Sequence, residues 1–332
     1  MIMKKTLISL LFFTSIPLLA KETTINKNKT LDIDFYQKTI NTVESYQNTF
    51  SSYIHESSNY IESFWQSFDE KEYKNKSFGI FRIGKRFSTK GQLEPDFKLK
   101  LKYDLPHTKK NLKLFFDFDQ QDFENLDNKN QITNDTSEEF SGGFILEENT
   151  THWDINYKLG VNLKLPLNPF AKIELTRDFN FNDNFSLFFK QENFYFKKRG
   201  FGSGAHFDFI YSLENNNYFE LYYNIQYLNN IGWEYYSDYS YFYNINNKNS
   251  IKAVIGNNRA YESNKFEQKR YWTQVQWKSL IHKNWLFIKV IPEISFENKY
   301  NYEPDYRLTI QFEMFFGNQE GIKKGLGRYR YN

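Results

Sequence analysis

The feature that most constrains this chain is a two-residue alternation of apolar and polar side chains that sets in near Lys76 and persists to Phe316. Its clearest instance is the last, Asp305 to Phe316, DYRLTIQFEMFF. There Tyr306, Leu308, Ile310, Phe312, Met314 and Phe316 fall on one face, and Arg307, Thr309, Gln311 and Glu313 on the other. A period of two marks an extended strand with one greasy and one wet side. Phe97, Leu99, Leu101, Tyr103 and Leu105 alternate with Lys98, Lys100, Lys102 and Asp104 in the same way. Trp153, Ile155, Tyr157, Leu159, Val161, Leu163 and Leu165 likewise oppose Asp154, Asn156, Lys158, Asn162 and Lys164. A strand whose second face carries lysine and aspartate cannot sit inside a sandwich without burying or exposing the wrong side.

A barrel resolves this conflict, since one face of each strand then meets lipid and the other a wet lumen. The runs from Phe78 to Phe316 number about fourteen; twelve is the alternative, because 140–147 is weak and Pro166 and Pro169 blur the breaks. Connections after even-numbered runs are tight and polar, whereas those after odd-numbered runs include long loops at Asp122 to Glu139 and Tyr261 to Lys269. That places both ends of the barrel on one side of a membrane. Aromatic residues near run ends, Trp233 to Tyr236, Tyr271 with Trp272, Trp285, Tyr300 and Tyr302, fit interfacial girdles, with a sugar-binding track as the alternative.

The N-terminal segment reads differently. Met1 to Ala20 has the charged start, apolar middle and small final residue of a signal peptide. Residues 21–75 form a helical periplasmic or lumenal segment. Ile40, Val43, Gln47, Phe50, Ile54, Ser57, Ile61, Phe64 and Phe68 lie three or four apart, as one stripe of a helix. Its expected cover is the barrel itself, with a lumenal plug or a self-associating coiled coil as alternatives. Gln47 and Ser57 interrupt that seam.

The aromatic-ended run at 305–316, following such a leader, resembles the terminal strand of Gram-negative outer-membrane β-barrel proteins. The resemblance is to the class. It implies an all-β transmembrane antiparallel barrel over 76–316, preceded by the amphipathic helical segment. It also implies outer-membrane location, contact with that membrane's lipids, and handling by the barrel-assembly machinery during insertion. Gly317 to Asn332 is a basic, Gly-rich flexible tail that departs from the class pattern.

Composition narrows the chemistry. The 332 residues are 20% aromatic, and 43 basic against 40 acidic side chains leave a net charge of +3, which gives no case for a nucleic-acid partner. The absence of cysteine excludes disulfides, thiolate metal sites and a cysteine nucleophile. Asp117, Asp119, Asp122, Glu124 and Asp127 concentrate carboxylates but lack the spacing of an EF-hand, and read as a solvated acidic loop rather than a metal site. Gly200, Gly202 and Gly204 read as a loop passing into a strand. No cofactor is indicated.

The phase of the alternation turns Lys98, Lys100, Lys102, Lys158, Lys164, Glu174, Glu192, His206, Asp208, Glu220, Glu234 and Asp238 inward as candidate lumen-lining residues. Basic positions dominate the first half and acidic ones the second. Opposed charged walls could set a transverse field across a pore, or could pair and close it. His206 and Asp208 share a face with Ser212, but Ser212 stands roughly 13 Å from Asp208 by strand rise, too far for a catalytic relay. The expected activity is therefore a passive channel for small polar or amphipathic solutes, gated by the helical segment. A non-transporting structural or surface-interaction protein is the alternative, and a lipid-modifying enzyme a further one.

Overall fold

The computed structural model describes residues 39–49, 51–52, 77–91, 94–105, 111–119, 139–163, 166–198, 200–214, 217–229, 232–262 and 265–317. The signal-peptide region, the stripe residues from Ile54 to Phe68 together with Phe50, and the tail beyond Gly317 lie outside them. Residues 39–49 form a helix, α1, and Ser51 and Ser52 are helical as well. Within α1 the stripe members Ile40, Val43 and Gln47 are half-buried. Of the described residues, those up to Tyr46 belong to one unit and those from Gln47 onward to another.

Fourteen strands follow: β1 (Phe78–Ser88), β2 (Glu94–Asp104), β3 (Asn111–Asp119), β4 (Glu139–Asn149), β5 (Asp154–Asn162), β6 (Asn168–Asn180) and β7 (Phe185–Phe196). The second half is β8 (Gly200–Ser212), β9 (Tyr218–Leu228), β10 (Gly232–Asn246), β11 (Asn249–Glu262), β12 (Lys265–His282), β13 (Leu286–Glu297) and β14 (Pro304–Gly317). Each pairs antiparallel with its sequence neighbours, and β14 pairs with β1 from Phe78↔Gly317 to Ser88↔Arg307, so the sheet closes. Closure leaves no strand edge to lipid, where an unsatisfied backbone group costs several kcal/mol. Fourteen strands, not twelve, is the count, and β4 and β6 are full members.

Two expectations about connections are corrected. Tyr261 to Lys269 is not a loop: β11 runs to Glu262, β12 begins at Lys265, and Tyr261 pairs with Phe266. The long hairpin escapes the alternation because a register shift between Asn258 and Arg259 changes its phase. Residues 120–138 are then the one long connection between strands, and the length contrast between the two ends of the barrel rests on it. Likewise Gly200, Gly202 and Gly204 are not a loop but the first turns of pleat in β8.

The alternation sorts side chains as a barrel in lipid requires. Leu159, Ile173, Ile225, Ile255 and Phe312 are exposed on the outer wall, while Glu192, Asn224, Asp238 and Gln311 are fully buried on the inner one. Outer aromatics collect near both rims. Tyr227 with Trp233 and Tyr261 with Phe266 mark one, and Phe181 with Phe185 and Phe219 with Tyr241 the other, with ring centroids between 4.8 and 5.3 Å apart. Tyr236 and Trp272 do not join these belts. They point inward and pack with Tyr222.

Where the helical residues from Gln47 onward meet the barrel, the contact is polar. Gln47 Nε2 donates to the carbonyl of Phe315 at 3.3 Å and to Ser51 Oγ at 3.1 Å, and the amide of Gly317 donates to Ser51 Oγ at 3.3 Å. The Phe315 amide is bonded to Trp285 O on the β13 side. Its carbonyl and the Gly317 amide point the same way, beyond the start of β13, so the two side chains cap ladder groups that have run out of strand. Gln47, an apparent flaw in the apolar stripe, makes this contact together with Ser51.

Candidate lumenal site

Eleven of the twelve candidate lumen residues fall on the inward phase of their strands; Lys164 lies outside the described residues. The structure gathers them into separate groups. Lys158, Lys172, Glu174 and Glu192 form one cluster on β5, β6 and β7. Glu174 is 2.9 Å from Lys158 Nζ and 3.0 Å from Lys172 Nζ, and Glu192 is 2.8 Å from Lys172 Nζ. Lys190, which the sequence did not single out, reaches Glu192 at 3.2 Å and Glu174 at 3.5 Å. Because Glu174 and Glu192 are direct register partners, as are Lys158 and Lys172, like charges sit side by side on adjacent strands. Only the diagonal pairing of unlike charges makes that arrangement tolerable.

Lys102 belongs to a second group, sharing Glu147 with Lys113 at 2.6 and 2.5 Å. Lys98, four residues earlier on the same strand, is buried and Lys100 between them is half-buried. On β9, Glu220 accepts from Lys252 at 2.5 Å and from Ser240 Oγ at 3.1 Å. Asp208, Glu234 and Asp238 are buried on β8 and β10, and Tyr236 OH donates to Asp238 Oδ2 at 3.2 Å. His206 is tied to Tyr222, whose hydroxyl lies 2.6 Å from Nδ1, and its Nε2 is 3.8 Å from Glu192. These contacts join His206 to a phenol and a glutamate on neighbouring strands, not to Ser212. Of the acidic loop residues, Asp122, Glu124 and Asp127 lie outside the described residues.

Two further groups lie on residues that were not candidates from the sequence. Glu313 on β14 is approached by Arg82, Lys278 and Lys289 from β1, β12 and β13. Arg307 pairs with Glu297, with Glu293 at 3.3 Å and with Asp305 at 2.6 Å, while Arg270 joins Glu293 and stacks over Trp272. Asp305 also accepts from Ser88 Oγ at 2.7 Å, from Thr89 N at 3.1 Å and from Lys90 N at 3.1 Å, tying the connection after β1 to the start of β14. The inward phase of DYRLTIQFEMFF was the signal for these residues, but their partners on β1 lie more than two hundred positions away: Arg82 and Glu313 are 231 apart.

A closed antiparallel barrel that is apolar outside, aromatic at its rims and charged within has the polarity of a protein solvated by lipid. The chain is an outer-membrane-type β-barrel. No family model matches it, and no curated protein does. Among solved structures it is similar to a loop-L8 deletion mutant of OmpT, an outer membrane protein of Vibrio cholerae, at 8% identity over 73% of this chain and 99% of that one, with a TM-score of 0.49. It is similar also to Salmonella typhi OmpF in complex with daunomycin, at 9% identity over 76% and 100%, TM-score 0.47. A third is the KdgM porin in complex with disordered oligogalacturonate, at 8% identity over 71% and 98%, TM-score 0.36. Likenesses at this level carry no function across.

Proposed function

We propose that this chain is a passive channel of the outer membrane for small polar or amphipathic solutes. The observation that carries the reading is the placement of charge around the ring. In a closed order of fourteen strands, β2 and β9 stand seven places apart, on opposite walls. Arg82, Arg86, Lys98, Lys100 and Lys102 outnumber Asp96 and Asp104 on the inward faces of β1 and β2, and Asp208, Glu220, Glu234 and Asp238 line β8 to β10. A lumen with an excess of cations on one wall and of anions on the other exerts a transverse field that orients dipolar solutes and disfavours apolar ones. In this reading the end carrying Phe78 and Gly317 faces the periplasm, the helical segment 21–75 acts there as gate, and the surrounding partners are outer-membrane lipids and, during insertion, the barrel-assembly machinery.

A non-transporting structural or surface protein is the second reading, favoured by how many inner carboxylates are already engaged by lysine or arginine. Single-channel conductance in a planar bilayer separates the two. The mature chain, and a version lacking residues 21–75, should both conduct, the second more. Silence from both, with heat-modifiable folding confirmed on gels, would reject the channel.

A further inference from the structure

We propose that the inner wall from β3 to β7 holds a binding site for an amphipathic carboxylate, an acid with a short aromatic or aliphatic body. The proposal rests on the channel reading for the route by which such a solute arrives, but not for its binding.

The site begins with two glycines. Gly143 on β4 and Gly160 on β5 are direct partners, flanked at the same level by Phe115 on β3 and Phe170 on β6, with Phe196 on β7 next in line. All five take the inward phase. With no side chain on the two strands between them, the rings of Phe115 and Phe170 meet at 6.2 Å although three strand spacings separate their backbones. Phe170 lies so close over Gly160 that a Cβ there would stand 2.6 Å from its Cζ, and it stacks on Phe196 at 5.1 Å. The three rings are half-buried, so each keeps an open part. They make an apolar ledge beside a cluster of charged side chains.

One inward step along the strands, about 7 Å away, come Lys158 and Lys172. With Lys190 they surround Glu174 and Glu192, and the two signs are not equally open. The lysine side chains are 27%, 19% and 19% exposed, whereas those of Glu174 and Glu192 are 7% and 1% exposed. Three lysines against two glutamates leave the cluster with an excess of positive charge, and its lysine side chains are more open than its carboxylates. A solute carboxylate meets a cationic surface, and the apolar body behind it lies along the phenylalanine ledge. An amine of the same shape meets like charge, and a carboxylate without a body forfeits the ledge.

Equilibrium dialysis of 3-phenylpropionate against the full folded chain in detergent, with a micelle-only blank, tests this directly. Saturable binding is expected, with hexanoate competing and both propionate and 3-phenylpropylamine weaker by about ten-fold or more. Phe170→Ala and Lys158→Gln should each weaken 3-phenylpropionate by about five-fold or more, the second leaving Lys172 and Lys190 beside the glutamates. Absence of saturable binding, equal binding of the amine, or indifference to both variants would overturn the proposal. The ligand series on the unaltered protein stands by itself if a variant fails to fold. Binding by a barrel that is silent in bilayers would reject the channel and keep this site; conductance without saturable binding would do the reverse.

Discussion

Arg82 on the first strand and Glu313 on the last are direct register partners across the seam that closes the barrel, and Arg82 Nη2 lies 3.3 Å from Glu313 Oε1. Lys278 and Lys289 share the same carboxylate at 3.0 and 3.6 Å. Removing one member of a buried ion group leaves the others desolvated without their counter-charge, at about 3–5 kcal/mol. Glu313→Ala should therefore lower the unfolding free energy of the barrel by an amount of that order, read as a lower urea midpoint. A midpoint unchanged from the parent would show that the seam is held by its backbone ladder alone.

Gly256 and Trp272 are partners on β11 and β12, and a Cβ at Gly256 would lie 2.1 Å from the indole Cζ2. Gly256→Ala must displace the ring that packs on Tyr236, and overpacking of this kind costs about 1–3 kcal/mol. Trp272→Leu in the same chain removes the clash, so the double variant should be more stable than the sum of the two single losses. Denaturant midpoints of the four proteins give the coupling; strict additivity would mean the ring can swing clear.

If the opposed walls set the selectivity of the pore, their neutralisation has opposite signs. Asp208→Asn with Asp238→Asn should move the reversal potential in a salt gradient toward anion preference. Lys100→Gln with Lys102→Gln should move it toward cations. Shifts of the same sign from both pairs would refute the assignment of walls.

At the rim, Lys90 after β1 bonds Glu303 before β14, outside the spanning strands. The hydrogen bond and the positive charge of Lys90 hold the exposed Glu303 carboxyl below the usual carboxylate pKa. Whatever this pair adds to stability is present above the unfolded-state value, about 4.3, and is lost as pH falls through the lowered folded value. An NMR titration of the Glu303 carboxyl should show the depressed midpoint, and Lys90→Met should return it to the ordinary range.

Strand number and inward phase were legible because lipid on one side and water on the other impose a period of two on every strand. DYRLTIQFEMFF shows its burial pattern in its letters alone. The β11–β12 hairpin was not legible, since the shift at Asn258 and Arg259 flips the phase just where Lys265, Glu267 and Lys269 resemble a loop. Nor were the partners inside. Lys190 matters because register sets it beside Glu174 and Glu192, and the Phe115–Phe170 contact requires glycines on two intervening strands to share one level. Both depend on cross-strand register, which no single run encodes.

The polar cap at the foot of β14 occupies two backbone groups that the ladder to β13 no longer reaches. Gln47 donates to the Phe315 carbonyl and Ser51 Oγ accepts from the Gly317 amide. At these two positions β14 therefore presents neither a free acceptor nor a free donor for a further strand to extend.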